Sequence, residues 1–328
     1  MNSRRKLLVA LGAGALSAPL ASFAQQPGKV WRIGFIWASS QSIGKADINV
    51  VLRRLRELGY VEGRDFTAEH RWADGNSKLF DGFAAELVRL KVDLIVTRST
   101  PAALAVKSTT QTIPVVFSMV SDPVASGIVS TLARPGGNLT GWSNMLPDTT
   151  AKLLELLTAM TPRMSRLAVL ADTANPAKVL EITALQKATS GLGLILRTKE
   201  LRTATDIDAA FAQMSREGTN AIIVLVDGVT TTHRQRIVEF AAKNYLPAIY
   251  QVREFVDAGG LMSYGMNISQ MQERTAEYMH RIFKGAKPTD LPIEQPTKFE
   301  LIINRKTAKA LGLTIPRSLL IGADQVIE

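Results

Sequence analysis

The chain has 328 residues, 39 Lys and Arg against 29 Asp and Glu, and no cysteine. Without cysteine there is no disulfide, no thiolate metal site and no thiol to carry a lipid after an export signal, so the exported form is expected to be soluble and untethered. The formal charge of +10 is mild for this length. Its short basic runs, RRLRE near 53 and RMSR near 163, are mixed with apolar residues, not interleaved with aromatics, which argues against nucleic acid as a partner.

Residues 1–24, MNSRRKLLVALGAGALSAPLASFA, read as a secretory signal: basic Arg4, Arg5 and Lys6, an apolar stretch from Leu7 to Ala18, and a Ser22-Phe23-Ala24 exit with small residues. The apolar part is too short to span a bilayer. Gly12 and Gly14 have no strand before them, which removes a phosphate loop. Arg4-Arg5 followed by Leu7 and Leu8 fits a general secretory or a twin-arginine route, and both place the mature protein in the periplasm. Removing residues 1–24 leaves 304 residues and takes away three cations and no acid, so the charge falls from +10 to +7. That length suits two domains with ample core.

Short β-type runs then alternate with longer helical patterns. Val30 to Trp37 is predicted as a strand and 46–58 as a helix, with Val50, Leu52, Leu55 and Leu58 at helical spacing. VDLIVT, 92–97, is a strand before a helix from 101; PVVF, 114–117, is a short strand before a helix around 124–133. The stretch RPGGNLTGWSN, 134–144, ends this series and is a hinge candidate. The second half repeats the logic: helix 149–160, strand 166–171, helix 176–190, strand 193–197, helix 204–217, strand 221–226, helix 230–244, and a last strand at LPAIY. Such alternation specifies α/β structure, with parallel sheets covered by helices.

One pattern recurs where strands end. Thr100-Pro101, Asp122-Pro123 and Asn175-Pro176 each set a capping residue before a proline that fits the first helical turn. Each alone is ordinary helix chemistry. Together, spread over both halves, they bring helix N-termini to the carboxyl ends of parallel strands, where ligands collect in open sheets and where N–H groups suit a carboxylate.

Catalytic motifs are missing. Gly141-Trp142-Ser143-Asn144 lacks the last glycine of a nucleophile elbow, no phosphate loop is present, and the first strand reads IGFIWASS without a dinucleotide fingerprint. His70, His233 and His280 share no ligand spacing, so no catalytic residue, metal site or cofactor is expected.

The segments IPVVFSMVSDPVASGIV, LARPGGNLTGWS, LPAIYQVREFVDAGGLMSYG and the tail from GAKPTDLP to the C-terminus resemble the exported solute-binding proteins of ABC transporters, of the tryptophan/tyrosine-binding type. The resemblance runs across nearly the whole mature chain. It implies two α/β lobes of the periplasmic-binding-protein kind that close on a small solute, an amino acid or related small carboxylate, and deliver it to a membrane permease with its ATPase; a monomer is expected. Lobe one is expected to comprise 25–142 and about 266–297, and lobe two 143–265 and about 298–328. Within that frame the candidate ligand residues are Trp37, Ser39, Ser40, Ser99, Thr100, Ser118, Ser121 and Asp122 on lobe one, and Asp172, Asn175 and Asp227 on lobe two. Hydroxyls and helix N–H groups suit a carboxylate, an unpaired Asp suits an ammonium, and Trp37 offers a flat apolar face. In this arrangement the carboxylate lies near Thr100 and Ser121, with Asp227 opposite. A module presenting its solute to a membrane receptor would share the sequence, and an exported enzyme would need a titratable pair in the cleft.

Processing is the first expectation open to measurement. The exported protein should begin at Gln25, and N-terminal sequencing of periplasmic material checks it; a protein that retains residues 1–24 there refutes a cleavable signal.

Overall fold

The computed structural model describes residues 29–144 and 146–328, with only the backbone of 146–148; the signal segment lies outside the described residues. In chain order the first half contains β1 (Trp31–Trp37), α1 (Gln41–Glu57), β2 (Phe66–Trp72), α2 (Phe80–Arg89), β3 (Leu94–Arg98), α3 (Thr100–Thr109), β4 (Val115–Val120) and β5 (Leu139–Ser143). The five strands form one sheet in the order β2-β1-β3-β4-β5, parallel throughout. Its inner strands are buried along almost their whole length, as a sheet with helices on both faces requires.

The second half runs through α4 (Leu146–Met160), β6 (Arg166–Ala171), α5 (Pro176–Thr189), β7 (Ile195–Glu200), α6 (Ala204–Arg216), β8 (Ala221–Val224), α7 (Gly228–Thr232), α8 (Arg234–Lys243), β9 (Ala248–Tyr250), α9 (Glu254–Asp257) and β10 (Met262–Gly265). After α10 (Ile268–Phe283) come β11 (Glu300–Asn304), α11 (Arg305–Ala310), α12 (Arg317–Gly322) and β12 (Gln325–Ile327). The second sheet is ordered β12-β11-β10-β9-β8-β6-β7, and only the β10/β11 pair is antiparallel. The fold is thus two lobes, each a mostly parallel sheet flanked by helices.

The lobes are not contiguous in sequence. Helix α10, which follows β10 of the second sheet, packs on α1 of the first lobe: Ala276, Tyr278, Met279 and Ile282 share a core with Ile33, Phe35, Ile48, Val51 and Leu55. The exposed pair Arg53–Glu273 and the half-buried pair Arg54–Glu277 border this seam, and an exposed pair is worth at most about 1 kcal/mol. The segment after α10 then lies along β5. Ser143 N–H donates to the Glu294 carbonyl at 3.0 Å, and Glu294 N–H to that of Gly141 at 3.2 Å, before β11 joins the second sheet.

Three local expectations are corrected. The segment 124–133 is not helical: Asp122 accepts from the N–H groups of Val124 and Ala125, but Gly127 takes a φ of 69° and ends the structure after one turn. The helix expected over 230–244 is two helices, α7 and α8, meeting at His233. Helix α1 starts five residues before the predicted helix at 46, and its buried stripe is Ile48, Val51 and Leu55.

Gly141 shows how tightly β4 and β5 meet. Its φ is 150°, and a Cβ built there would fall 2.0 Å from the Phe117 carbonyl oxygen, where the register of the two strands shifts. Gly141→Ala should therefore lower Tm by more than about 5 °C, the result of a few kcal/mol of backbone clash. A calorimetric scan that leaves Tm within 1 or 2 °C, on the order of 0.5 kcal/mol, contradicts this tight approach.

A closed cleft between the two lobes

Both sheets aim the carboxyl ends of their strands at one cavity. From the first lobe it is lined by Ala38 and Ser39 after β1, Arg98 and Ser99 at the end of β3, Met119 and Ser121 around the end of β4, and Asn144 after β5. From the second come Asn175 and Lys178 at the start of α5, with Val226, Asp227, Gly228 and Thr231 after β8. The space open to water centres between the walls is about 30 Å³. The walls touch across it: Ser40 N–H donates to Thr232 Oγ1 at 3.2 Å, and Ser121 Oγ donates to Glu181 Oε1 at 3.3 Å. A Cβ on Gly228 would meet the Ala38 carbonyl oxygen at 2.7 Å, so a side chain there would force the lobes apart.

The first-lobe wall holds strained backbone. Ser99 has a φ of 142° and Met119 a φ of 54°, conformations that cost roughly 1–3 kcal/mol for residues with a side chain and that cluster at ligand sites. Ser99, not Thr100, is the cap of α3: its hydroxyl accepts from Ala102 N–H at 3.3 Å, and Pro101 takes the second helical position. Thr100 Oγ1 instead accepts from Ser121 N–H at 3.3 Å, tying α3 to the end of β4. Asn175 caps α5 by accepting from Ala177 N–H at 3.1 Å.

Two buried carboxyl groups and one buried ion pair dominate the second-lobe wall. Asp227 Oδ1 accepts from Thr230 N–H at 2.8 Å, and Oδ2 from Asp172 N–H at 2.9 Å. Burial pushes the Asp227 carboxyl up to about 6, against the N–H bonds and the nearby Lys178 charge that favour its ionised form. Burial also raises Asp172, which caps its own turn by accepting from Ala174 N–H at 3.0 Å. Lys178 Nζ donates to Glu181 Oε1 at 2.7 Å, and the two side chains are 1% and 0% exposed. Gln251 Nε2 donates to Glu181 Oε2 at 2.7 Å while its own Oε1 accepts from Val226 N–H at 2.7 Å.

Of the residues singled out in the sequence, Ser39, Ser99, Ser121, Asn175 and Asp227 face this cavity. Ser40 lies at the lobe contact, and Thr100 and Asp172 stand one layer back. Ser118 is inside β4 with its hydroxyl 3.4 Å from the Thr97 carbonyl oxygen, and Asp122 caps the turn after β4. Trp37 is buried in the first-lobe core, stacked on Phe35 and Trp72 at 6.0 and 5.7 Å, and does not reach the cavity. Arg98, Met119, Asn144, Lys178 and Thr231 were not anticipated. Arg98 could have been noticed as the residue between strand and cap. Lys178 carried a clearer signal, a cation in the first turn of a helix where the dipole disfavours it. Among the described residues no group of three or more His, Asp or Glu is placed to hold a metal ion, and no helix is long and apolar enough to cross a membrane.

Known proteins share this arrangement. The sequence profile described as "ABC transporter substrate binding protein" matches residues 45–327. A "Tyrosine-binding protein" of Clostridioides difficile is 26% identical over 262 residues, which covers 80% of this chain and 75% of the relative. The crystal structure of an ABC domain from Streptococcus pneumonia in complex with L-Trp matches with a TM-score of 0.82 at 26% identity, over 91% of this chain and all of that one. A ligand-free, open substrate binding protein from Clostridium difficile, 25% identical and matched over 91% of this chain and 99% of its own, gives a TM-score of 0.62. At nearly equal identity the structure is thus more similar to the L-Trp complex than to the open protein, in keeping with lobes that touch across the cavity. By its profile match and its two-lobe architecture, the chain belongs to the ABC transporter substrate binding protein family.

Proposed function

We propose that the protein is exported to the periplasm, captures an amino acid or a related small carboxylate between its lobes, and hands it as a monomer to an ABC permease with its ATPase. The observation that carries this reading is the cavity itself: it is walled by charged and polar groups from both lobes, so a solute there is held only when the lobes meet. Hinge closure of this kind is the usual way such a ligand is buried. The tyrosine-binding and L-Trp-bound relatives support an amino acid as the class of solute. Binding, not turnover, is the reading that the match to substrate-binding proteins supports.

Asp227 is the proposed partner of the solute ammonium. It is a half-buried carboxyl without a cation bonded to it, and an ammonium placed against it would offset the desolvation that raises its pKa. A screen of amino acids by thermal shift, followed by calorimetry, tests the reading. At least one L-amino acid should bind, and Asp227→Asn should weaken it roughly tenfold to a hundredfold, the worth of a hydrogen bond to a charged group. The deaminated acid of the same skeleton should lose far less. A wild-type protein that binds no amino acid at millimolar concentration defeats the proposal.

The same residue gives the empty protein a pH dependence. Folded Asp227 keeps its proton to about pH 6, whereas an unfolded aspartate loses it near 3.8, so the folded state holds more protons between these values and loses stability as pH rises through them. The loss, complete above about pH 6, is on the order of 3 kcal/mol. The Tm of the wild type relative to Asp227→Asn should therefore drop by several degrees between pH 4 and pH 7. A difference that stays constant over that window refutes the burial of an ionisable group at 227.

A further inference from the structure

We infer that Lys178 is the receptor for the solute's carboxylate, held in place by Glu181 and Gln251, and that Ser39 completes it from the opposite lobe. The inference rests on the solute-binding reading and moves the carboxylate from Thr100 and Ser121 to the second-lobe wall.

The positions of the donors lead there. Lys178 is the third residue of α5, where the positive end of the helix opposes a cation, and its side chain is 1% exposed. Burying an ammonium is costly unless its charge and its protons are matched. Glu181, one turn along, matches the charge. Its carboxylate is in turn fully supplied: Oε1 accepts from Lys178 Nζ and Ser121 Oγ, and Oε2 from Gln251 Nε2. The ammonium is not. It has three N–H groups, and Glu181 is the acceptor it meets among the described residues, while Lys178 lines the cavity. Across the cavity Ser39, 2% exposed, carries a hydroxyl with no hydrogen-bond partner.

Donors of this kind, one on each lobe and both on residues that line the cavity, call for an acceptor with two oxygens that reaches both walls. A carboxylate meets both demands and joins the lobes in doing so. Arg98, the other cation in the wall, pairs with Asp47 at 2.8 Å and keeps a buried Nε without a hydrogen-bond partner, a further donor on the first-lobe side. Ser121 adds a link to closure, since its hydroxyl reaches Glu181 only when the lobes meet. Glu181 and Gln251 act here as positioning residues: they fix where the ammonium stands and touch no solute.

The test pairs Lys178→Met with Glu181→Gln, because removing the lysine alone strands a buried carboxylate, and reads both melting of the empty protein and binding. The probes are L-alanine, L-tyrosine and L-tryptophan, the acids acetate, lactate and pyruvate, and tyramine as a carboxyl-free cation. The expected result is an empty double variant melting within about 4 °C of the wild type, the shift of roughly 1 kcal/mol, with affinity for the bound amino acid reduced tenfold to a hundredfold. Wild type stabilised only by the simple acids, with that effect lost in the variant, upholds the receptor and removes the amino-acid reading. Unchanged affinity in the variant, or tyramine binding as well as tyrosine, overturns the receptor and leaves solute binding standing. A collapse of the empty variant's melting shows a merely structural ion pair and overturns the inference. A wild type moved by none of the probes overturns both readings.

Discussion

The arrangement depends on one buried carboxylate. Glu181 lies on a helix of the second lobe, yet it accepts from a hydroxyl of the first, and it carries an ammonium and an amide besides. A charge so placed is a poor source of stability, because an apolar core of the same volume does as well or better. It is a good source of geometry. Lys178 and Glu181 on α5 and Gln251 after β9 hold one another within the second lobe, and Ser121 after β4 joins them when the lobes are together.

Closure also explains the strained and crowded backbone around the cleft. Ser99 and Met119 sit in conformations that side chains avoid, and Gly228 stands where even a methyl group would strike the Ala38 carbonyl. Gly228 brings main chain closer to the opposite lobe than a side chain would allow. Between the walls is a small space in which a charge feels its partners more strongly than in water. Asp227 records that environment in its raised pKa, and the ion pair beside it is the compensation the same environment demands.

Much of this was legible in the residues. Strands such as LIVTR and RLAVLA are mostly apolar because helices cover both faces of their sheets, and their spacing announces parallel α/β lobes. Asn175-Pro176 and Asp227 announce helix starts, and strand order then brings them to the cleft. What failed were features that depend on direction. Trp37 ends the right strand, but alternate residues of a strand face opposite sides, and its ring turns into the core. Asp122-Pro123 begins a turn like a helix, and Gly127 stops it. Lys178 stands out locally only as a cation in a first helical turn, and the burial of its pair with Glu181 leaves no mark in a local window.

The placement of α10 has a consequence for the order in which the molecule is made. The first sheet is complete once residue 143 has been synthesised, but the face of α1 that packs on Ala276, Met279 and Ile282 waits for another 140 or so residues. Through that interval Ile48, Val51 and Leu55 have the strands of their own sheet against them but not the cover that α10 adds. The first lobe is therefore short of part of its cover at the point where an N-terminal domain would ordinarily be finished. Its final packing is tied to the synthesis of a helix that follows most of the second lobe.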